Sequence, residues 1–156
     1  MVFGLSPESC SARARNRVRF APEYAVNGIS NASYVLQWLA VDDQQRRCYN
    51  DLQEATERGA YAVAILLVRQ LTGKIVLQRS KKGPGFDYWL GEPDDNGLLF
   101  QGKTRLEVSG ILEGSTTEIA ARVKRNLAQV KPSDHLAPAY IAVVEFGAPT
   151  AQVVPK

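Results

Sequence analysis

Thr104-Arg105-Leu106-Glu107-Val108-Ser109-Gly110-Ile111 alternates along its length, with Arg105, Glu107 and Ser109 on one side and Leu106 and Val108 on the other. That period of two is the signature of a β-strand, here running from Thr104 to about Leu112. Shortly after it, Ser115-Thr116-Thr117-Glu118 has the spacing of a capping box, in which a hydroxyl and a carboxylate satisfy the first free amides of a helix. Ile119, Val123, Leu127 and Val130 give that helix its apolar face, and Lys131-Pro132 ends it. Tyr140 to Phe146 reads as a further strand, and Gln152 to Val154 as an edge strand.

Upstream, Val35, Trp38, Cys48, Leu52 and Ala55 fall at helical spacings, broken by Gln45 alone. Gly59 follows Arg58 as a stop, so the spacing predicts a helix over about 33–58, with Cys48 as a small core residue on its apolar face. Tyr61 to Val68, almost without a polar residue, reads as a strand covered on both faces. Leu71-Thr72-Gly73-Lys74 supplies a turn and Ile75 to Arg79 returns, which makes a hairpin. Lys81-Lys82-Gly83-Pro84-Gly85 and Phe86-Asp87-Tyr88-Trp89-Leu90 come next, then a turn at Pro93-Asp94-Asp95-Asn96-Gly97. The pattern is that of an α/β fold, a mixed central sheet flanked by helices.

The chain has 156 residues, 45% of them hydrophobic and 22% charged, which suits one globular domain rather than a disordered chain. Residues 1–30 read as a basic arm, flexible or with an edge strand between Arg13 and Phe20, and residues 31–156 as a single domain. The longest apolar run, Ala60 to Val68, is about half a membrane span, and no secretory apolar core follows Met1. A cytoplasmic protein without membrane contact is the expectation. Cys10, Cys48 and the lone His135 cannot close a zinc site of Cys and His ligands.

Net charge is +3, too mild to diagnose a partner, but its distribution is uneven. Arg13, Arg15, Arg17 and Arg19 make the arm basic, and Lys74, Arg79, Lys81 and Lys82 form a second basic stretch without an acid. Asp87, Glu92, Asp94 and Asp95 follow directly. Basic surface beside carboxylates is the arrangement expected where a polyanion approaches a bound cation. Asp87 stands out as a charge among aromatic residues, just after a glycine-rich bend. If it ends the strand beside Glu107, the two carboxylates converge at one end of the sheet, where two hard oxygen ligands suit Mg²⁺ or Mn²⁺. Glu145, a charge inside a core strand, is expected to pair with Arg105 or Arg122. Ser133, Asp134 and His135 are too close in sequence to oppose one another as a triad. Neither a nucleophile elbow nor a phosphate-binding P-loop is present.

The element order resembles the αβββαβ core of the restriction-endonuclease-like nucleases, the PD-(D/E)XK superfamily, over about residues 33–146. Gly85-Phe86-Asp87 looks like the first half of that motif, and Glu107-Val108-Ser109 occupies the second. The resemblance implies nucleic-acid binding, with Asp87 and Glu107 holding Mg²⁺ or Mn²⁺ for attack of water on a phosphodiester. Ser109 stands where the family pattern has Lys, so the catalytic cation would have to come from Lys124, Lys81 or Lys82, or cleavage would be lost. Some members add a glutamate from the first helix. By helical spacing over 33–58, Glu54 and Glu57 face solvent and Asp51 lies nearer the stripe. Lys81, Lys82 and the arginines of the arm would contact phosphates. The other reading is a non-catalytic protein-interaction module of adaptor or immunity type, with Asp87-Tyr88-Trp89 as its hot spot.

Overall fold

A computed structural model describes the backbone of residues 3–6 and, with side chains, residues 23–93 and 102–156. Eight strands form one mixed sheet: β1 (Phe3–Ser6), β2 (Glu23–Gly28), β3 (Ala32–Trp38), β4 (Ile75–Arg79), β5 (Tyr88–Gly91), β6 (Thr104–Ile111), β7 (Ala139–Glu145) and β8 (Thr150–Pro155). Among the described residues three α-helices accompany it: α1 (Asp43–Cys48), α2 (Leu52–Thr72) and α3 (Thr116–Gln129). The strand order is β1-β3-β2-β8-β7-β6-β5-β4. β4, β5 and β6 form an antiparallel meander, β6 and β7 run parallel across the α3 crossover, and β8 returns antiparallel. β2 joins β8 in parallel, which carries the sheet on through β3 to β1.

Ile141, Ala142, Val143 and Val144 on β7 are all without solvent exposure, because this strand is covered on both faces. Ala142 and Val144 pack with Leu106 and Val108 under Ala60, Val63, Ala64, Leu67 and Val68 of α2. Ile141 and Val143 pack instead with Ile119 and Val123 of α3. The two helices thus lie on opposite faces of the sheet.

The upstream elements differ from the sequence expectation. Residues 33–38 belong to strand β3, and the helix expected over 33–58 reduces to the short α1 and the first turns of α2. Tyr61 to Val68 is the middle of α2, so no hairpin joins it to β4. An apolar run of this length fits a buried helix as well as a buried strand, and here the buried positions 60, 63, 64, 67 and 68 carry the helical period. Gly59 sits inside α2 against the ring of Phe146, and the helix ends at Gly73, which takes a left-handed φ of 76°. Cys48 is exposed on α1 rather than buried. Residues 23–28, within the expected arm, form β2.

The downstream elements follow the sequence closely. Ser115 caps α3 through the expected box, its hydroxyl accepting from the Glu118 amide while the Glu118 carboxylate accepts from the Ser115 amide. β6 and β7 fall where alternation and apolar runs placed them, whereas β8, expected as an edge strand, lies inside the sheet because β2 pairs along its other side. Asp51 supplies the α2 cap, its carboxylate accepting from the Glu54 amide.

Candidate functional site

β5 pairs with β6 only from Tyr88, opposite Leu106, so the part of β6 beyond Leu106 has no β5 partner. Asp87 fills that position. Its Oδ2 accepts the Val108 amide at 2.9 Å, and its Oδ1 accepts the Tyr61 hydroxyl at 3.2 Å from α2. The approach depends on Gly85, whose φ is +79° and whose missing side chain leaves room for the Gln129 carbonyl; a Cβ there would sit 2.3 Å from that oxygen. Gly85 therefore lets the 81–86 segment cross the end of α3 and deliver Asp87 to the sheet.

Glu107 points to the α3 face and is only 5% exposed. Gln129 Nε2 donates to its Oε1 at 2.7 Å. Burial, then the charge of Asp87 and a hydrogen bond shared with it, push the Glu107 carboxyl up to about 8, and the Gln129 bond opposes this. Glu107 therefore favours its protonated form near neutral pH beside Asp87. Tyr61 is pushed up to about 12, first by burial and then by Asp87, so its hydroxyl stays a donor.

A cleft of about 200 Å³ opens over this pair, lined by Glu57, Tyr61, Asp87, Glu107, Ser109 and Arg122, with Val108 and Gly110 in its floor. Gly110 brings α2 close, since a Cβ there would meet the Thr56 carbonyl at 2.8 Å. That contact sets Glu57, one turn before Tyr61, at the cleft. Arg122 reaches it from α3, its Nη1 3.5 Å from the Gly110 carbonyl oxygen. Burial and the neighbouring Arg125 lower its pKa from the usual guanidinium value.

The structure thus brings Asp87 and Glu107 together, and with them two residues that the sequence reading set aside or gave another task. Glu57 is exposed, as expected, and also borders the cleft. In the true helix it continues the 60, 64 and 67 stripe by one turn. Arg122 falls at i+3 from Ile119 and i−4 from Asn126, at the border of the buried face, which is formed as expected by Ile119, Val123 and Val130 with Leu127 packed against them and Asn126 buried beside them. Lys124 is exposed and lies outside the cleft. Ser109 is engaged by Asn126, whose Nδ2 donates to its Oγ at 2.7 Å. Lys81 and Lys82 are exposed on the segment before Asp87. Glu54 pairs with Arg58 on the outer face of α2, and Asp51 is occupied as the cap. Arg13, Arg15, Arg17, Arg19, Asp94 and Asp95 lie outside the described residues, and Glu92 pairs with Lys74.

Two further charges are structural. Glu145 does not pair with an arginine: its carboxylate accepts the amides of Gly114, Gly147 and Ala148, pinning the β7–β8 turn. Arg105, 1% exposed, donates to the carbonyls of Val130 and Ala137, to Ser133 Oγ and to Asp134. Among the described residues no three His, Cys, Asp or Glu side chains converge on a single metal position, and no helix is long and apolar enough to cross a membrane. Comparison with known proteins gives no matching family model, no matching curated protein and no matching solved structure.

Proposed function

We propose that this chain binds nucleic acid and hydrolyses phosphodiesters with a divalent cation at the Asp87–Glu107 pair. The observation that carries this reading is the convergence of two carboxylates from successive strands, with the guanidinium of Arg122, in one polar cleft. The order α2, β4, β5, β6, α3, β7 supports a restriction-endonuclease-like core, with Asp87 after a glycine ahead of the second of these strands and Glu107 on the third. Two carboxylates completed by water suit Mg²⁺ or Mn²⁺, which bind through one or two protein carboxylates and keep several waters. The ion supplies Lewis-acid charge to the phosphoryl group.

The chain's own residues do the rest. Tyr61 and the Val108 amide hold Asp87 in one rotamer, and Gln129 holds Glu107, so the pair is set before a ligand arrives. To hold a cation, Glu107 would have to release its proton. Arg122 takes the place of the family's lysine, a fixed positive charge for the phosphoryl oxygens as negative charge builds on them. Ser109, uncharged and held by Asn126, has no such role.

Calorimetry with Mn²⁺ tests the reading directly. The wild type binds in the micromolar to millimolar range and Asp87→Asn does not, and the wild type cleaves DNA or RNA only with Mg²⁺ or Mn²⁺. Absence of both binding and cleavage, over duplex DNA, single-stranded DNA and RNA, would overturn it. Ser109 in place of lysine favours the second reading, a non-catalytic interaction module on the same sheet. That reading predicts a fold whose melting is indifferent to Mn²⁺.

A further inference from the structure

A second cleft, of about 320 Å³, lies on the far side of Arg79 from the carboxylates. Its walls are Phe86, Trp89, Pro84 and Leu136, with Arg79 and Lys81 at the rim, and the residues lining it include no acid. Phe86 and Trp89 are stacked edge to face with ring centroids 4.9 Å apart, and Arg105 lies 5.8 Å from the Phe86 centroid on its buried side. Phe86 is itself 6% exposed, so the aromatic surface offered to a ligand belongs mainly to Trp89, which is half-buried. Leu136 is 45% exposed. The volume is at the lower end of the ~300–1,000 Å³ of small-molecule pockets.

Arg79 lines this cleft and also a polar one whose walls carry Asp51, Glu54, Glu57, Arg58 and Tyr61, and Glu57 and Tyr61 in turn border the carboxylate site. Its guanidinium lies 5.5 Å from the Tyr61 centroid and 6.0 Å from that of Tyr88. A strand that follows these surfaces therefore passes from an apolar aromatic slot, over a cation, to the Asp87–Glu107 pair. Flat aromatic surface next to cations matches a nucleobase attached to a phosphate, the combination that single-strand binding sites use. A hydrophobic peptide would gain from the aromatic walls but has less use for Arg79 and Lys81 beside them.

We infer that the Phe86–Trp89 cleft is a base-stacking subsite that selects single-stranded nucleic acid, Trp89 taking the base and Arg79 and Lys81 the adjoining phosphates. This rests on the nucleic-acid reading above and names its substrate class. The test is fluorescence anisotropy with the full chain in EDTA at low salt, using a thymidine 12-mer, an abasic 12-mer with the same phosphates, and a 12-base-pair duplex. The wild type binds the thymidine strand about 5- to 100-fold more tightly than the abasic one, the range expected of one stacked base. Trp89→Leu loses that preference and leaves abasic affinity unchanged. Leu136→Asp, at an exposed position that does not threaten folding, weakens the thymidine strand more than the abasic one. Equal affinity for the two strands, duplex preference, or an unaltered preference in both variants would overturn the subsite. Because EDTA removes cleavage, a protein that prefers bases but never cleaves keeps the subsite and loses the nuclease reading. One that cleaves with Mn²⁺ yet ignores bases loses the subsite alone, and one that binds neither strand loses both.

Discussion

Glu107 is nearly enclosed by α3, Asp87 and its own strand, and its titration is the clearest physical signature of the site. Burial and then the charge of Asp87 push its carboxyl from the ordinary 4.5 up to about 8. Between those values the native state holds a proton that the unfolded chain has released. Stability from this group is therefore full below about 4.5 and declines as pH rises through 8. Urea unfolding at pH 5 and pH 8.5 should show that decline in the wild type and little of it in Glu107→Gln; parallel behaviour of the two proteins would count against a raised Glu107 pKa. Mn²⁺ affinity should rise over the same window, since the cation must displace that proton. At Arg122 the expectation concerns rate. Arg122→Ala should lower kcat for cleavage about 100- to 1,000-fold, as loss of one charge-stabilising donor does, with Mn²⁺ affinity nearly unchanged. Lys124→Ala should cleave like the wild type. An inactive Lys124→Ala beside an active Arg122→Ala would reverse these assignments.

The site exists because particular elements end or approach where they do, and those arrangements can be tested by mutation. Leu67, 1% exposed beneath the sheet, belongs to the α2 stripe, and Leu67→Ala should cost about 2–5 kcal/mol in denaturant unfolding. Ala64→Pro discriminates between secondary structures more sharply, because a proline in the helix interior costs about 3 kcal/mol or more. Gly85→Ala meets both a left-handed φ and the Gln129 carbonyl, so a loss of about 1–3 kcal/mol is expected. It should also displace Asp87, and Mn²⁺ binding should weaken even where the variant remains folded. A Gly85→Ala protein with wild-type Mn²⁺ affinity would show that Asp87 does not depend on this turn. At these positions the sequence was legible in unequal measure. The β6 alternation and the Ser115–Glu118 box specify their elements locally, whereas Tyr61 to Val68 has apolar residues all round. A helix covered by β1, β6 and β7 and a two-faced strand place the same demand on composition.

Over the whole molecule, the proposed function makes the basic residues the groups that would meet a polyanion. Lys81 and Lys82 lie ahead of Asp87, and Arg13, Arg15, Arg17 and Arg19 belong to a stretch outside the described residues. Oligonucleotide affinity should fall steeply with salt, with a slope of about 0.7 per phosphate neutralised on a single strand. Replacing the four arginines by glutamine should flatten that slope by at most about 3 without altering Mn²⁺ binding. An unchanged slope would remove the arm from the interface.

The sequence by itself determined the α/β class, the strands from β6 to β8, the α3 cap and the candidacy of Asp87 and Glu107, because each rests on residues within one turn or one strand. Tertiary structure decided the rest. Residues 33–38 became a strand by pairing with β2 and β1, and 61–68 became helix by packing across the sheet. Glu57 and Arg122 entered the cleft from helices on opposite faces, and Glu145 found backbone amides instead of an arginine. A local pattern records which side of an element is apolar. Which partner covers that side, and which polar groups the packing then brings face to face, depends on contacts between segments far apart in the chain.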